Sequence, residues 1–313
     1  MNSFSAVIIR WFRENGRDLP WRETKDPYAI WLSEIILQQT RIVQGWEYWE
    51  RFMQTYPKVE DLAAASEDDV LKLWQGLGYY SRARNLHAAA KQIVALGDFP
   101  NTLEGIKSLK GVGDYTAAAI GSFAFDIPAA VVDGNVYRVL SRYFGIDTPI
   151  NSTQGKKEFA ALAQSLLPAS DAASYNQGMM DFGAIQCTPQ SPKCLLCPLA
   201  ETCEALRCGR VEELPVKNKT VKVKTRHLSY IYIRCKSSVA DGAGNTEPMI
   251  AIHRRGEGDI WQGLWEPYNV SDVKELPSFV KNPILLAKDV KHVLTHRILL
   301  ADFYLLETET CPQ

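Results

Sequence analysis

Residues 109–140 read LKGVGDYTAAAIGSFAFDIPAAVVDGNVYRVL, and this stretch restricts the fold more than any other. Leu109, Gly111, Val112, Gly113, Thr116 and Ala117 fit a helix-hairpin-helix. In that motif a glycine-rich turn between two helices leaves backbone N–H groups free to hold a DNA phosphate. Gly111 and Gly113 are the phosphate-holding candidates, because such a turn needs positive φ and close backbone approach. Asp133 follows, ahead of the apolar spacing Val136, Val139, Leu140 and Tyr143, so it opens a helix at or near the N-cap. A carboxylate there stays ionised easily. Read alone, Asp133 is a plain helix cap and a lone Gly-x-Gly says little; the pair becomes informative only with the glutamate and cysteines described below.

The chain has 313 residues, enough for two domains and a large core. It is 46% apolar and 23% charged, with no apolar run of membrane-spanning length. The N-terminus lacks signal-peptide features and reads as a helix through Phe4, Val7, Ile8, Trp11 and Phe12, so a cytoplasmic location is expected. Net charge is −1, so any nucleic-acid partner must be met by local rather than global positive charge.

Asp26-Pro27 marks a helix start, and Ile30, Glu34, Leu37 and Gln38 then share one side of that helix. A lone Glu34 among Ile30, Trp31, Ile35 and Leu37 would have its charged form disfavoured, and could keep a proton and act as a general acid. A surface glutamate at the edge of an apolar stripe is the plainer alternative. In WQGLGYYSRARN, Gly76 and Gly78 break the helical pattern, with Leu77, Tyr79 and Tyr80 as exposed-turn candidates beside Arg82 and Arg84. That combination suits a wedge for distorted DNA, or ordinary core packing of the tyrosines.

The seven cysteines include four within seventeen positions: Cys187, Cys194, Cys197 and Cys203, spaced C-x6-C-x2-C-x5-C. Four thiolates in a short loop can hold zinc or an iron–sulfur cluster, and spacing alone does not decide. Only one C-x2-C knuckle exists, which favours a 4Fe–4S cluster. Lys193 and Arg207 would present charge to phosphate. Cys208, Cys235 and Cys311 read as ordinary thiols. Residues 209–226 lose helical periodicity and end in alternating lysines, as an interdomain linker would. Beyond them HLSYIYIRC, MIAIHRR and HVLTHRILLADFYLL read as strands, with a hairpin turn near 241–245, so a smaller α+β domain is expected. His292 and His296 do not share a helix face and are not read as metal ligands.

With these pieces placed, the chain resembles the adenine-specific DNA glycosylase (MutY) family of the helix-hairpin-helix, endonuclease III superfamily. The motifs are GRDLPWR, WLSEIILQQT, GLGYYSRARNL, GVGDYTAAAI, VDGNVYRVL, NQGMMDFGAIQC and the four-cysteine loop. The resemblance implies an all-α glycosylase domain over 1–208. Within it a six-helix barrel lobe would cover about 25–132 and a cluster lobe 1–24 and 133–208. A 209–226 linker and a Nudix-like domain over 227–313 would follow, the latter shortened relative to the family.

The resemblance also implies roles. Glu34 would protonate adenine at N7, Asp133 would stabilise the oxocarbenium-like sugar, and Tyr115 and Asn135 would flank it. Arg17, Trp21, Arg22 and Gln177 would form the adenine pocket. Gln38, Gln39, Leu77 and Tyr79 would contact the substrate and fill the stack as the base leaves the duplex. Thr295 and His296, in Leu294-Thr295-His296, would meet 8-oxoguanine. Endonuclease III-like enzymes carry a lysine nucleophile where this chain has Tyr115, so a monofunctional enzyme leaving an abasic site is expected. The expected partner is duplex DNA with adenine opposite 8-oxoguanine or guanine, bound by a monomer. A non-catalytic DNA-binding protein, an iron–sulfur electron carrier and a thymine or oxidised-pyrimidine glycosylase are the rival readings.

Overall fold

The computed structural model describes residues 3–218, 223–235, 249–270, 282–294 and 297–308. The chain divides into a helical unit, Met1–Asn218, and a sheet unit, Lys219–Gln313.

Twelve α-helices run through the described part of the helical unit: α1 (Ser3–Asn15), α2 (Pro27–Ile36), α3 (Ile42–Thr55), α4 (Val59–Ala64), α5 (Glu67–Leu73), α6 (Ser81–Leu96), α7 (Leu103–Lys107), α8 (Asp114–Phe125), α9 (Gly134–Phe144), α10 (Thr153–Leu166), α11 (Ala172–Asp181) and α12 (Glu204–Arg207). Two apolar clusters among the described residues join the helices around a cleft. In one, Phe4 and Ile8 of α1 meet Val139 and Leu140 of α9, Phe159 of α10 and Tyr175 of α11. In the other, Ile30 of α2 packs on Ala118, Ala119 and Phe123 of α8. The small residues of α8 explain that contact, since alanines let α2 approach closely. Gly178 does the same for α11, because a Cβ there would sit 3.0 Å from both Ile8 and Phe12 of α1.

Residues 209–218 are not a free tether. Leu214 is buried, its carbonyl accepts from Arg142 Nε at 3.0 Å, and Ile150 N donates to Val216 O at 3.0 Å. An apolar side chain and two backbone groups with partners on the helical unit hold this segment against it. The first strand then starts at Lys224, inside the segment expected to be a linker.

The sheet unit has six described strands: β1 (Lys224–Cys235), β2 (Met249–Ile250), β3 (Ile252–Arg254), β4 (Trp265–Val270), β5 (Ile284–Val293) and β6 (Arg297–Thr308). Their order is β3-β4-β1-β6-β5, with β2 also on β1. The centre is a parallel pair, β1 with β6, in register from Lys224 opposite Arg297 to Cys235 opposite Thr308. Both faces of β1 are covered. Leu228 and Tyr230 pack with Leu299 and Ala301, while Ile231 and Ile233 pack with Leu306 on the other face. This is why LSYIYI reads as an unbroken apolar run rather than an alternating one.

Among its described residues the unit's regular elements are all strands, so the helical component of the expected α+β domain is not seen there, and the expected 241–245 turn lies outside the described residues. Cys235 is disulfide-bonded, correcting its reading as an ordinary thiol, whereas Cys208 and the four loop cysteines are free.

Candidate active site and iron–sulfur loop

Asp26 starts α2 by accepting from Tyr28 N at 2.9 Å, with Pro27 in the first turn. Every residue from Tyr28 to Ile36 is buried, and Glu34 is the one carboxylate among them, 7% exposed. Burial pushes its carboxyl up from 4.5 to about 7; the charge of Asp133 adds to this, while a Tyr115 hydrogen bond and Arg22 oppose it. Near neutral pH a substantial fraction of Glu34 therefore carries a proton.

Asp133 caps α9. Its Oδ1 accepts from Val136 N and its Oδ2 from Asn135 Nδ2, both at 2.8 Å. Burial raises its carboxyl too, but those hydrogen bonds and Arg138 work against the rise. Glu34 and Asp133 line one cleft of about 560 Å3, together with Arg17, Gln38, Gln39, Tyr115 and Asn135. A partly protonated acid and a hydrogen-bonded carboxylate thus share one cavity, as general-acid cleavage of a glycosidic bond requires.

The remaining candidates are placed less uniformly. Gln38 donates from Nε2 to Thr116 Oγ1 at 3.3 Å, and Gln39 has a φ of 58° on the cleft rim. Trp21 does not line the cleft; it is buried with its ring edge-on to Trp46 and Trp49. Gln177 lies half-buried on α11, and Arg22 is engaged with Asp181. Leu77 is 8% exposed, so it is not an exposed-turn residue, whereas Tyr79 is 42% exposed with a φ of 46°. Arg82 holds their loop to the end of α2, donating to Ile35 O and Ile36 O at 3.1 Å, to Leu77 O at 3.2 Å and to Gln38 O.

Gly111 has the expected positive φ, 78°, and a Cβ on it would lie 2.6 Å from Asn85 Cβ. Gly113 does not: its φ is −97° and its Cβ position is open, because it already serves as the N-cap of α8. Thr295 and His296 lie outside the described residues.

Three features were missed in the sequence. Asp181 binds Arg17 and Arg22; its signal was a single acid in the apolar run MMDFGAI, the same signal that marked Glu34. A π-helical turn follows it, Phe182–Gln186, where Gly183 meets the start of α9: a Cβ there would lie 2.5 Å from Asn135 Cβ. Two buried arginines of α9 then tie this turn to the cysteine loop. Arg138 donates to Asn135 Oδ1 at 2.8 Å, to Gly183 O at 2.6 Å and to Cys187 O at 2.7 Å. Arg142 donates to Thr188 O at 2.7 Å and Pro189 O at 3.1 Å, and reaches Cys187 Sγ at 3.4 Å.

The four loop thiols are half-buried and free. Burial pushes the Cys197 thiol up to about 11, helped by the charges of Cys187, Cys203 and Cys194, so ionising all four needs compensating positive charge. Among the described residues no three His, Cys, Asp or Glu donors close to the spacing of one bound ion. Four mutually interacting thiols without an imidazole or carboxylate, with Arg142 at one of them, fit an iron–sulfur cluster better than a single hard cation.

Residues 32–168 match the HhH-GPD superfamily of base excision DNA repair proteins. The chain is 33% identical over 294 residues to an adenine DNA glycosylase of Buchnera aphidicola subsp. Schizaphis graminum, covering 93% of this chain and 82% of that one. The chain belongs to the adenine DNA glycosylase family. Against the mouse adenine DNA glycosylase the identity is 41% over 229 residues, 69% of this chain and 44% of the mouse protein. Among solved structures, a thermostable thymine-DNA glycosylase superposes with a TM-score of 0.61 at 34% identity, over 66% of this chain and 95% of its own. Residues 187–203 match the iron–sulfur binding domain of endonuclease III, a segment that begins and ends on a loop cysteine. The family member therefore carries a 4Fe–4S-binding domain.

Proposed function

We propose that the protein removes adenine from duplex DNA where it is mispaired with 8-oxoguanine or guanine, and leaves an abasic site without cutting the strand. Membership of the adenine DNA glycosylase family supports the base, and the pairing of Glu34 with Asp133 in one cleft carries the chemistry. The base leaves the stack and enters the cleft, with Leu77 and Tyr79 beside the gap and Gln38 and Gln39 at its rim. Glu34, as the acid, donates its proton to adenine N7. The C–N bond breaks with its electrons on the base, and the Asp133 carboxylate stabilises the positive sugar until water adds. Tyr115 and Asn135 hold the two carboxylates, and Arg17, Arg22 and Gln177 shape the adenine side, while Trp21 packs on Trp46 and Trp49 outside the cleft lining.

Tyr115 stands where a lyase would have its amine, and the described residues lining the cleft include no lysine, so no imine forms with the sugar. Gly111 and Gly113 bind phosphate. Cys187, Cys194, Cys197 and Cys203 hold the 4Fe–4S cluster, which when bound cross-links the loop. The sheet unit is a Nudix-like reader of 8-oxoguanine, using Thr295 and His296. No helix among the described residues is long and apolar enough to cross a membrane. The protein acts on DNA as a monomer in the cytoplasm or nucleoid.

The test is excision from a duplex with adenine opposite 8-oxoguanine, compared with adenine opposite thymine. Strand breaks are expected only after hot alkali and only at the mispaired adenine. Glu34→Gln is expected to lose about 10²–10⁴-fold in rate while still binding the duplex. The likeness to a thymine-DNA glycosylase sets the competing outcome: removal of thymine from a G:T duplex with adenine untouched would transfer the site to that substrate.

A further inference from the structure

Asp181 is the last residue of α11 and is fully buried. Its two oxygens accept five hydrogen bonds. Arg17 supplies its backbone N and Nε at 2.8 Å each, and Nη2 as well; Arg22 supplies Nη1 at 2.8 Å and Nη2 at 2.9 Å. Arg22 Nη1 also donates to Arg17 O at 2.9 Å. Although burial alone would raise its carboxyl, the hydrogen bonds from Arg22 and Arg17 hold Asp181 below the usual carboxylate range, so it is an anion throughout the working pH range.

The two arginines are poorly hydrated as well, with side chains 29% and 13% exposed. Arg17 lines the cleft that contains Glu34, and the charge of Arg22 acts directly on the Glu34 carboxyl in favour of its ionised form. A guanidinium released from Asp181 at this position would have Glu34 as an anionic partner within the same low-dielectric cavity.

We propose that Asp181 is a positioning residue of the excision site: it clamps Arg17 and Arg22 at the edge of the cleft and offsets their charge, so that neither guanidinium turns to pair with Glu34. This rests on the reading of Glu34 as the proton donor. The charged and titratable groups around Glu34 are Arg17 and Arg22 from the segment before α2, Arg41 before α3, Tyr115 of α8 and Asp133 at the start of α9, with Arg138 behind Asp133. Two arginines bound to one carboxylate keep a single net positive charge, which is enough to attract a DNA strand yet leaves the acid intact. The recognition side of the cleft and its chemical side are thereby kept apart by a residue that lines neither.

Asp181→Asn keeps the shape of the side chain and removes its charge. In single-turnover excision from the adenine–8-oxoguanine duplex, its alkaline limb is expected to move down by about one pH unit. The rate near pH 8 then falls about tenfold, while the rate near pH 5.5 stays within about twofold of the parent. Adding Arg22→Gln to Asp181→Asn is expected to move the limb back up. A uniform loss at every pH, or a limb that does not move, overturns the proposal. Should Asp181→Asn fail to fold, Asp181→Glu is the second variant. It retains the charge and displaces the guanidiniums, so affinity should weaken with the limb in place; a shifted limb would sink the idea. The carboxyl 13C shift of Glu34, titrated in the whole protein, reads the same equilibrium without turnover. If no variant or parent excises adenine, the reading of the function fails, and a lower Glu34 midpoint in Asp181→Asn still supports the clamp while an unchanged one overturns it.

Discussion

Glu34 carries a pKa of about 7 in the folded protein against 4.5 in an ordinary setting. As the proton donor it is expected to lose activity as pH rises through 7, about tenfold per unit beyond it. Tyr115→Phe removes the hydrogen bond that favours the charged form, so its alkaline limb should move to higher pH in the same single-turnover profile. The linked effect on stability has the opposite readout. A raised folded pKa means a contribution present below 4.5 and lost as pH rises to 7. Glu34→Gln, which cannot ionise, should therefore gain about 3 kcal/mol over the parent between pH 4 and pH 8 in urea unfolding. Glu34 and Asp133 were legible because each breaks a local pattern: an acid inside an apolar helix and an acid at a helix start. Trp21 was legible as a residue but not as a position, since only the folded chain brings Trp46 and Trp49 against its ring. Nothing in the local sequence distinguishes a tryptophan facing a ligand from one facing two others.

The π-helical turn Phe182–Gln186 is the element on which α9, α11 and the cysteine loop converge. Gly183→Ala places a methyl against the backbone and Cβ of Asn135 and should cost about 1–3 kcal/mol, seen as a lower Tm. Gly113→Ala, with open space and a φ of −97°, should leave the unfolding free energy within about 0.5 kcal/mol of the parent and Tm nearly unchanged. Arg138→Met leaves Gly183 O and Cys187 O without their buried donor, and is expected to lower both Tm and the iron content of the purified protein. The helix starts Asp26 and Asp133 were readable from capping chemistry. The π-turn was not, because it depends on an extra residue accommodated between α11 and α9 rather than on any residue preference. The strands divided in the same way: β1 announces itself through LSYIYI, whereas β4 contains Pro267 and the apolar start of β5, ILLA, runs into the charged KDVK, so neither shows a regular strand pattern.

At the scale of the molecule, the two units have separate cores, one helical and one built around β1 and β6. A chain cut after Asn218 is therefore expected to fold, keep its iron and excise adenine, while losing its preference for 8-oxoguanine over guanine opposite; rates on the two duplexes measure this directly. Residues 209–218 must be included in that piece, because Leu214 and Val216 belong to the helical unit despite a linker-like composition. The parallel pairing of β1 with β6 also fixes an order of events during synthesis. The strand that β1 needs ends at Thr308, so while the ribosome is still reading the codons between them, β1 has no neighbour on that side. By then every residue of the helical unit has been made. A premature stop anywhere in that long interval would yield a finished helical unit trailing an apolar strand whose β6 side stays unpaired. Cells making such a product would meet a DNA-repair enzyme and an aggregation hazard in one molecule.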